Sequence, residues 1–404
     1  MVFGALTAAC FPNSGTSQQP VVTGVQQTGE ATIQNRNSAP ACESGMKYIK
    51  GDRISDETDG TGGWTMCPEN CLAPEEFPGF DPAHPSSFSR DEGQFGICGA
   101  FVVADFLGVR LSTFKRWPTS PDYDRGVSTV DIEIQSFAHE NDEIQKNTIE
   151  YFLGPISSEF GLWDSPTKKT FKDYLVTEEE SGVCPENAMP GDIRVNGNGN
   201  QIRAVYESFD AHLKELQSRT RTGVSLASIC KECKLIAPEL SDEQWEQVAG
   251  VLNSDNNLDQ GSFKILKAID DIACDGKRIK VPLLFTQVRD VNIDDLANRL
   301  AALKHPVQMS VHAQPLDPDH IKPGPEQASN PSWDRHSFLV YGATIKNVNG
   351  TNVCFYKVKN SWGPNLCMQV WGSKNSPKVQ CDPSTGSYLI SSDLLQSMSL
   401  GIER

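Results

Sequence analysis

No apolar run in this 404-residue chain approaches the ~18 residues that a membrane-spanning helix needs. The longest, from Gly96 to Val109, is interrupted by Asp105 and reads as a buried helix. Clustered Lys and Arg are missing too. Thirty-six basic residues against 52 acidic ones leave a formal charge of −16, so nothing in the chain is suited to neutralising nucleic-acid phosphates or an anionic bilayer. Charge itself is nearly absent between Phe11 and Ala41, where Glu30 and Arg36 stand among 15 Ser, Thr, Asn and Gln residues with no amphipathic period. That is the composition of a flexible tether.

What is present in excess is cysteine. Twelve in one chain are more than a reducing compartment usually leaves unpaired, so the expectation is an exported protein with disulfides, in the periplasm, cell envelope or medium of a bacterium. The opening residues, ending in Thr7-Ala8-Ala9-Cys10, are similar to a lipoprotein cleavage box, which makes Cys10 a candidate lipid-attachment residue and membrane tether; an ordinary frayed terminus is the alternative. Residues 1–41 are therefore read as signal remnant and linker, and 42–404 as one folded domain. Residues 42–90, rich in Gly, Pro and acids, read as strand and loop stapled by disulfides, without the long amphipathic helices of an inhibitory pro-domain.

After Cys98, Ala100, Val103, Ala104 and Leu107 recur at i, i+3, i+4 and i+7, and Phe101, Val102 and Phe106 cover the other sides. This predicts a helix buried nearly all round, with Cys98 as its first residue, where unpaired N–H groups favour a thiolate. His336 lies 238 residues further on and opens the strand-like run Ser337 to Gly342. A second strand, Val353 to Val358, leads into Lys359-Asn360-Ser361-Trp362-Gly363. A thiol nucleophile needs a base to hold it as an ion pair, an amide to fix the imidazole tautomer, and an aromatic neighbour to keep water off that hydrogen bond. Cys98, His336, Asn360 and Trp362 supply those types in order.

The segment Glu92-Gly93-Gln94-Phe95-Gly96-Ile97-Cys98-Gly99-Ala100-Phe101, the run Arg335 to Val340 and the segment Lys359 to Gly363 together resemble the motifs of the papain-like cysteine peptidases, and the divergent bacterial members above all. Weaker similarities are Ser181 to Glu186, His305 to Val311 and Ser387 to Ile390. The resemblance spans about residues 85–395. It implies an α+β, two-lobed fold: a helical lobe carrying Cys98, an antiparallel β-barrel lobe carrying His336 and Asn360, and a cleft between them. It implies hydrolysis of peptide bonds through an acyl-enzyme on Cys98, with His336 as proton shuttle and Asn360 as its orienting partner. A peptide or protein substrate, a monomer and no cofactor are expected.

Papain-like spacings put His and Asn about 130–150 residues after the Cys, so roughly 90 residues are extra here. Three amphipathic stripes account for them: Ile202, Val205, Tyr206, Phe209, Leu213 and Leu216; Trp245, Val248, Ala249 and Leu252, opened by a Ser241…Gln244 capping box; and Ser262 to Ala273. A helical insertion is expected near residues 190–275. Glu92 stands where the family carries its oxyanion glutamine, and losing such a donor costs about 10²–10³ in rate. Glu92 could be protonated and donate, Gln94 could replace it, or the site could be inactive. Three functions stay open: a peptidase, a catalytically impaired binding module on the same scaffold, and a cysteine-dependent amidase or transpeptidase of the cell envelope. Setting aside Cys98 as a free thiol and Cys10 as a lipid site leaves ten cysteines for five disulfides, with Cys367 and Cys381 one expected pair. A zinc site built from Cys230, Cys233, Cys67 and Cys71 is the rival use of those thiols.

Overall fold

The computed structural model describes residues 47–50, 64–67, 90, 98–113, 126–139, 177–191, 212–230, 233–254, 262–280, 287–288, 296–297, 300, 306–316, 335–363, 367–368, 378–382 and 386–403. Cys10, Glu92, Gln94 and the 1–41 segment lie outside them. The described chain is α+β: helices packed against a fully antiparallel sheet.

Helix α1 (Cys98–Thr113) starts at Cys98, as the apolar spacing predicts. Ala100, Phe101, Val103, Ala104, Phe106, Leu107 and Leu111 are all buried, so the helix is enclosed on every side from Cys98 to Leu107. It packs on helix α2 (Thr129–His139) and on the sheet. Ser128 caps α2, accepting the Asp131 N–H at 2.9 Å while its own hydroxyl donates to the Met189 carbonyl.

A helical group follows within residues 190–275: a helix at 212–221, helix α3 (Asp242–Ser254) and helix α4 (Ser262–Cys274). The capping box forms, with the Ser241 amide donating to Gln244 Oε1 and the Gln244 amide donating to Ser241 Oγ. Trp245, Val248, Ala249 and Leu252 are buried, and the stripe on α3 faces α4. Helix α4 packs on α2, which joins this group to the helices around Cys98.

Strands β1 (Lys47–Lys50) and β2 (Trp64–Cys67) form a small antiparallel pair. The main sheet contains β3 (Gln287–Val288), β4 (Val307–His312), β5 (Arg335–Val348), β6 (Thr351–Lys359), β7 (Val379–Asp382), β8 (Ser387–Ser391) and β9 (Ser399–Glu403), in the order β3-β9-β4-β5-β6-β8-β7. Helix α5 (Ser392–Met398) connects β8 to β9 and lets the last strand pair beside β4. Strand β5 runs well past the expected Gly342, through a register shift between Val340 and Gly342, into a tight turn at Asn349-Gly350. Both turn residues have positive φ, which suits Gly and is tolerated by Asn in a two-residue hairpin.

Disulfides Cys67–Cys354, Cys184–Cys274, Cys230–Cys233 and Cys367–Cys381 cross-link the described chain. The first closes 287 residues and ties β2 to the sheet, which removes the most chain entropy from the unfolded state. Cys367–Cys381 is the pair expected from the sequence. The rival zinc set is not available: Cys67 is bonded to Cys354 and Cys230 to Cys233, so none of those three can offer a thiolate.

Candidate active site

His336 is the second residue of β5 and pairs with Val311 of β4. Strand β6 runs antiparallel to β5 with Lys359 opposite Leu339, so Asn360, the next residue, returns alongside the start of β5. The two side chains meet at 2.6 Å, Nε2 of His336 against Oδ1 of Asn360, and both residues are buried. An amide oxygen can only accept, so Nε2 carries the proton and Nδ1 carries the lone pair. Nδ1 has no hydrogen-bond partner among the described residues.

Trp362 lies over this pair, its ring centroid 4.6 Å from that of His336 and tilted by 31°. Phe338 meets the imidazole edge-on, and Tyr388 meets Trp362 edge-on. This aromatic collar excludes water. Burial therefore lowers the His336 pKa to about 4, only partly countered by the hydrogen bond to Asn360. At neutral pH the ring is an uncharged base with a free lone pair.

Cys98 corrects the sequence reading. Its position at the head of α1 is as expected, and α1 packs against β5, the strand that carries His336. Its sulfur, however, is disulfide-bonded and the residue is fully buried. The partner cysteine lies outside the described residues. In this oxidised form there is no thiolate to attack a carbonyl, and among the described residues no charged group raises the imidazole pKa. The pairing scheme that set Cys98 aside as a free thiol is corrected with it.

A buried ionic network, which the sequence reading did not assign, fastens the two sides of the site together. Asp105 of α1 accepts from Lys359 Nζ at 3.0 Å and lies 3.1 Å from Arg90 Nε. Arg90 also donates to the Val127 carbonyl and approaches Glu186 at 3.6 Å, and its own carbonyl accepts the Gly363 N–H at 2.9 Å. Glu186 in turn accepts the Thr129 and Gly191 amides. Among the described residues two cations face two carboxylates, so these four charges offset one another in a buried setting. Lys359 and Gly363 flank Asn360 and Trp362, so the network fixes the loop that orients His336 against α1. One signal of it was in the sequence: Asp105 interrupts an otherwise apolar helix.

A possible metal-ligand group, Asp131 with Cys184 and Cys274, has its ligand atoms within 4.8 Å of one another. Both sulfurs are spent on the Cys184–Cys274 disulfide, so the group offers a cation no thiolate in this form. No protein-family model, no curated protein and no solved structure matches the chain.

Proposed function

We propose that the chain is a papain-like cysteine peptidase with a helical lobe, a barrel-like sheet lobe and a cleft between them, held latent by oxidation of its nucleophile. The observation that carries this is the His336 ring, fixed by Asn360, covered by Trp362, and left with an unpartnered Nδ1. A structural histidine in an apolar pocket would satisfy both nitrogens. A general base needs one of them open.

In this reading an external dithiol attacks the Cys98 disulfide, is itself oxidised, and returns Cys98 as a thiol. The thiol proton passes to His336 Nδ1, giving a thiolate and imidazolium pair. The thiolate adds to the peptide carbonyl, the imidazolium protonates the departing amine, and water activated by His336 releases the acyl group. Asn360 holds the ring in one tautomer throughout.

A second reading, a binding module on the same scaffold without catalysis, is favoured by the disulfide at Cys98 and by Glu92 standing in the sequence where the resembled motif carries its oxyanion glutamine. Hydrolysis of a fluorogenic peptide library, with and without a dithiol, separates the two. The peptidase reading expects cleavage only after reduction and none in Cys98→Ala. Absence of cleavage by protein shown by peptide mapping to have a reduced Cys98 supports the binding module instead.

A further inference from the structure

Three carboxyl groups, Asp131 of α2, Glu178 of the helical turn at 177–181 and Asp270 of α4, are fully buried. They converge where the helical group of residues 212–274 joins α2. Among the described residues Arg278 is the cation in direct contact with them: it lies 2.6 Å from Asp131 Oδ1 and 2.8 Å from Asp270 Oδ2, and also donates to the Gly182 carbonyl. Two further cations act on Glu178 and Asp270 at longer range and offset their charge only partly. Lys280 donates to the Glu180 carbonyl and Lys267 to Asp271. Gln135 of α2 donates to Asp270 Oδ2, the Cys184 amide donates to Asp131 Oδ2, and Cys274 Sγ lies 3.5 Å from Asp270 Oδ1. Among the described residues, neither oxygen of Glu178 has a hydrogen-bond partner.

Three ionised carboxylates with one guanidinium in contact would leave a negative excess in a fully buried site that Lys280 and Lys267 offset only partly, and an uncompensated buried charge costs several kcal/mol per ion. The inexpensive state is one carboxylate paired with Arg278 and two neutral acids. We infer that Asp131, Glu178 and Asp270 form a proton-held latch that fastens residues 262–280 to α2 and loosens as pH rises. Burial and the mutual repulsion of the acids push Glu178 and Asp270 well above the ordinary carboxylate range, in line with the charge count. The sign follows: an acid with a raised folded pKa binds more protons folded than unfolded, so its contribution is full below the ordinary carboxylate range and is lost as pH climbs through the folded value. The latch therefore adapts the junction to an acidic surrounding. It is independent of the catalytic proposal.

The test uses the oxidised full chain and hydrogen exchange at Val183 and Ile279, whose amides bond each other's carbonyls beside the cluster at 2.9 and 3.0 Å. After correction for intrinsic exchange chemistry, the opening constant should rise as pH climbs above the ordinary carboxylate range, with a limiting slope of about tenfold per pH unit for each proton held. Glu178→Gln should remove one such proton and flatten the slope. Should that variant not fold, wild-type unfolding at pH 6 should release one to two protons, read by pH-indicator titration. An opening constant independent of pH, a slope unchanged in Glu178→Gln, or no proton release overturns the inference. So does abolition of the slope by millimolar calcium or zinc, which would assign the charge to a cation instead.

Discussion

Replacing Asp105 by Asn tests the ionic network that joins α1 to the Asn360 loop. At 3.0 Å, and with an effective dielectric of about 20, each of its two contacts is worth roughly 5 kcal/mol of attraction, most of it offset by desolvation. The residue is almost completely buried, and so is Lys359. Asparagine keeps the shape and removes the charge, leaving the buried Lys359 without its Asp105 carboxylate and Arg90 with Glu186. Breaking one partner of such a pair costs about 3–5 kcal/mol, whereas removing both can be nearly neutral. Urea unfolding should therefore show Asp105→Asn destabilised by about that amount, and Asp105→Asn with Lys359→Met recovering most of it. A single variant within about 1 kcal/mol of wild type, or a double variant as unstable as the sum of the singles, would refute the reasoning.

Three further outcomes follow from the same coordinates. The His336 pKa, about 4 while Cys98 is oxidised, should rise above its ordinary value once a thiolate forms beside it, which NMR of the ring protons before and after reduction reads directly. Gly191→Ala would drive a methyl group into the Thr129 side chain and Val130 Cγ2, and overpacking of that kind costs about 1–3 kcal/mol, visible as a lower midpoint in denaturant. Ser241→Ala removes the hydroxyl half of the α3 capping box and should cost about 1 kcal/mol by the same assay, with Ser241→Asp close to neutral.

The elements that carry the site were legible because each rests on a local signal. The apolar wrap after Cys98 gave α1 and its first residue, the strand-like runs Ser337 to Gly342 and Val353 to Val358 gave the start of β5 and most of β6, and the Ser241…Gln244 spacing gave the cap on α3. The side-chain pairing of His336 with Asn360 was inferred from residue types, and the antiparallel register of β5 on β6 accounts for it. Long-range facts were not legible. Cys67 finds Cys354 across 287 residues, and no local pattern encodes that choice among so many pairings. The oxidation of Cys98 is the same kind of fact: a thiol at a helix start looks identical whether its destiny is attack or cross-linking. Asp105 was visible as an interruption, but its partners Arg90 and Lys359 lie on other segments. The junction acids Asp131, Glu178 and Asp270 read singly as ordinary polar residues, and only the fold brings them together.

The central claim is that Cys98, once reduced, shares its proton with His336. The direct measurement is the pH dependence of Cys98 alkylation by iodoacetamide after reduction, located by peptide mapping and compared with His336→Gln. The account predicts reaction that persists far below the ordinary thiol pKa of about 8.5 in the wild type and falls away toward that value in the variant. A wild-type profile with an ordinary thiol midpoint, unchanged in His336→Gln, would contradict it.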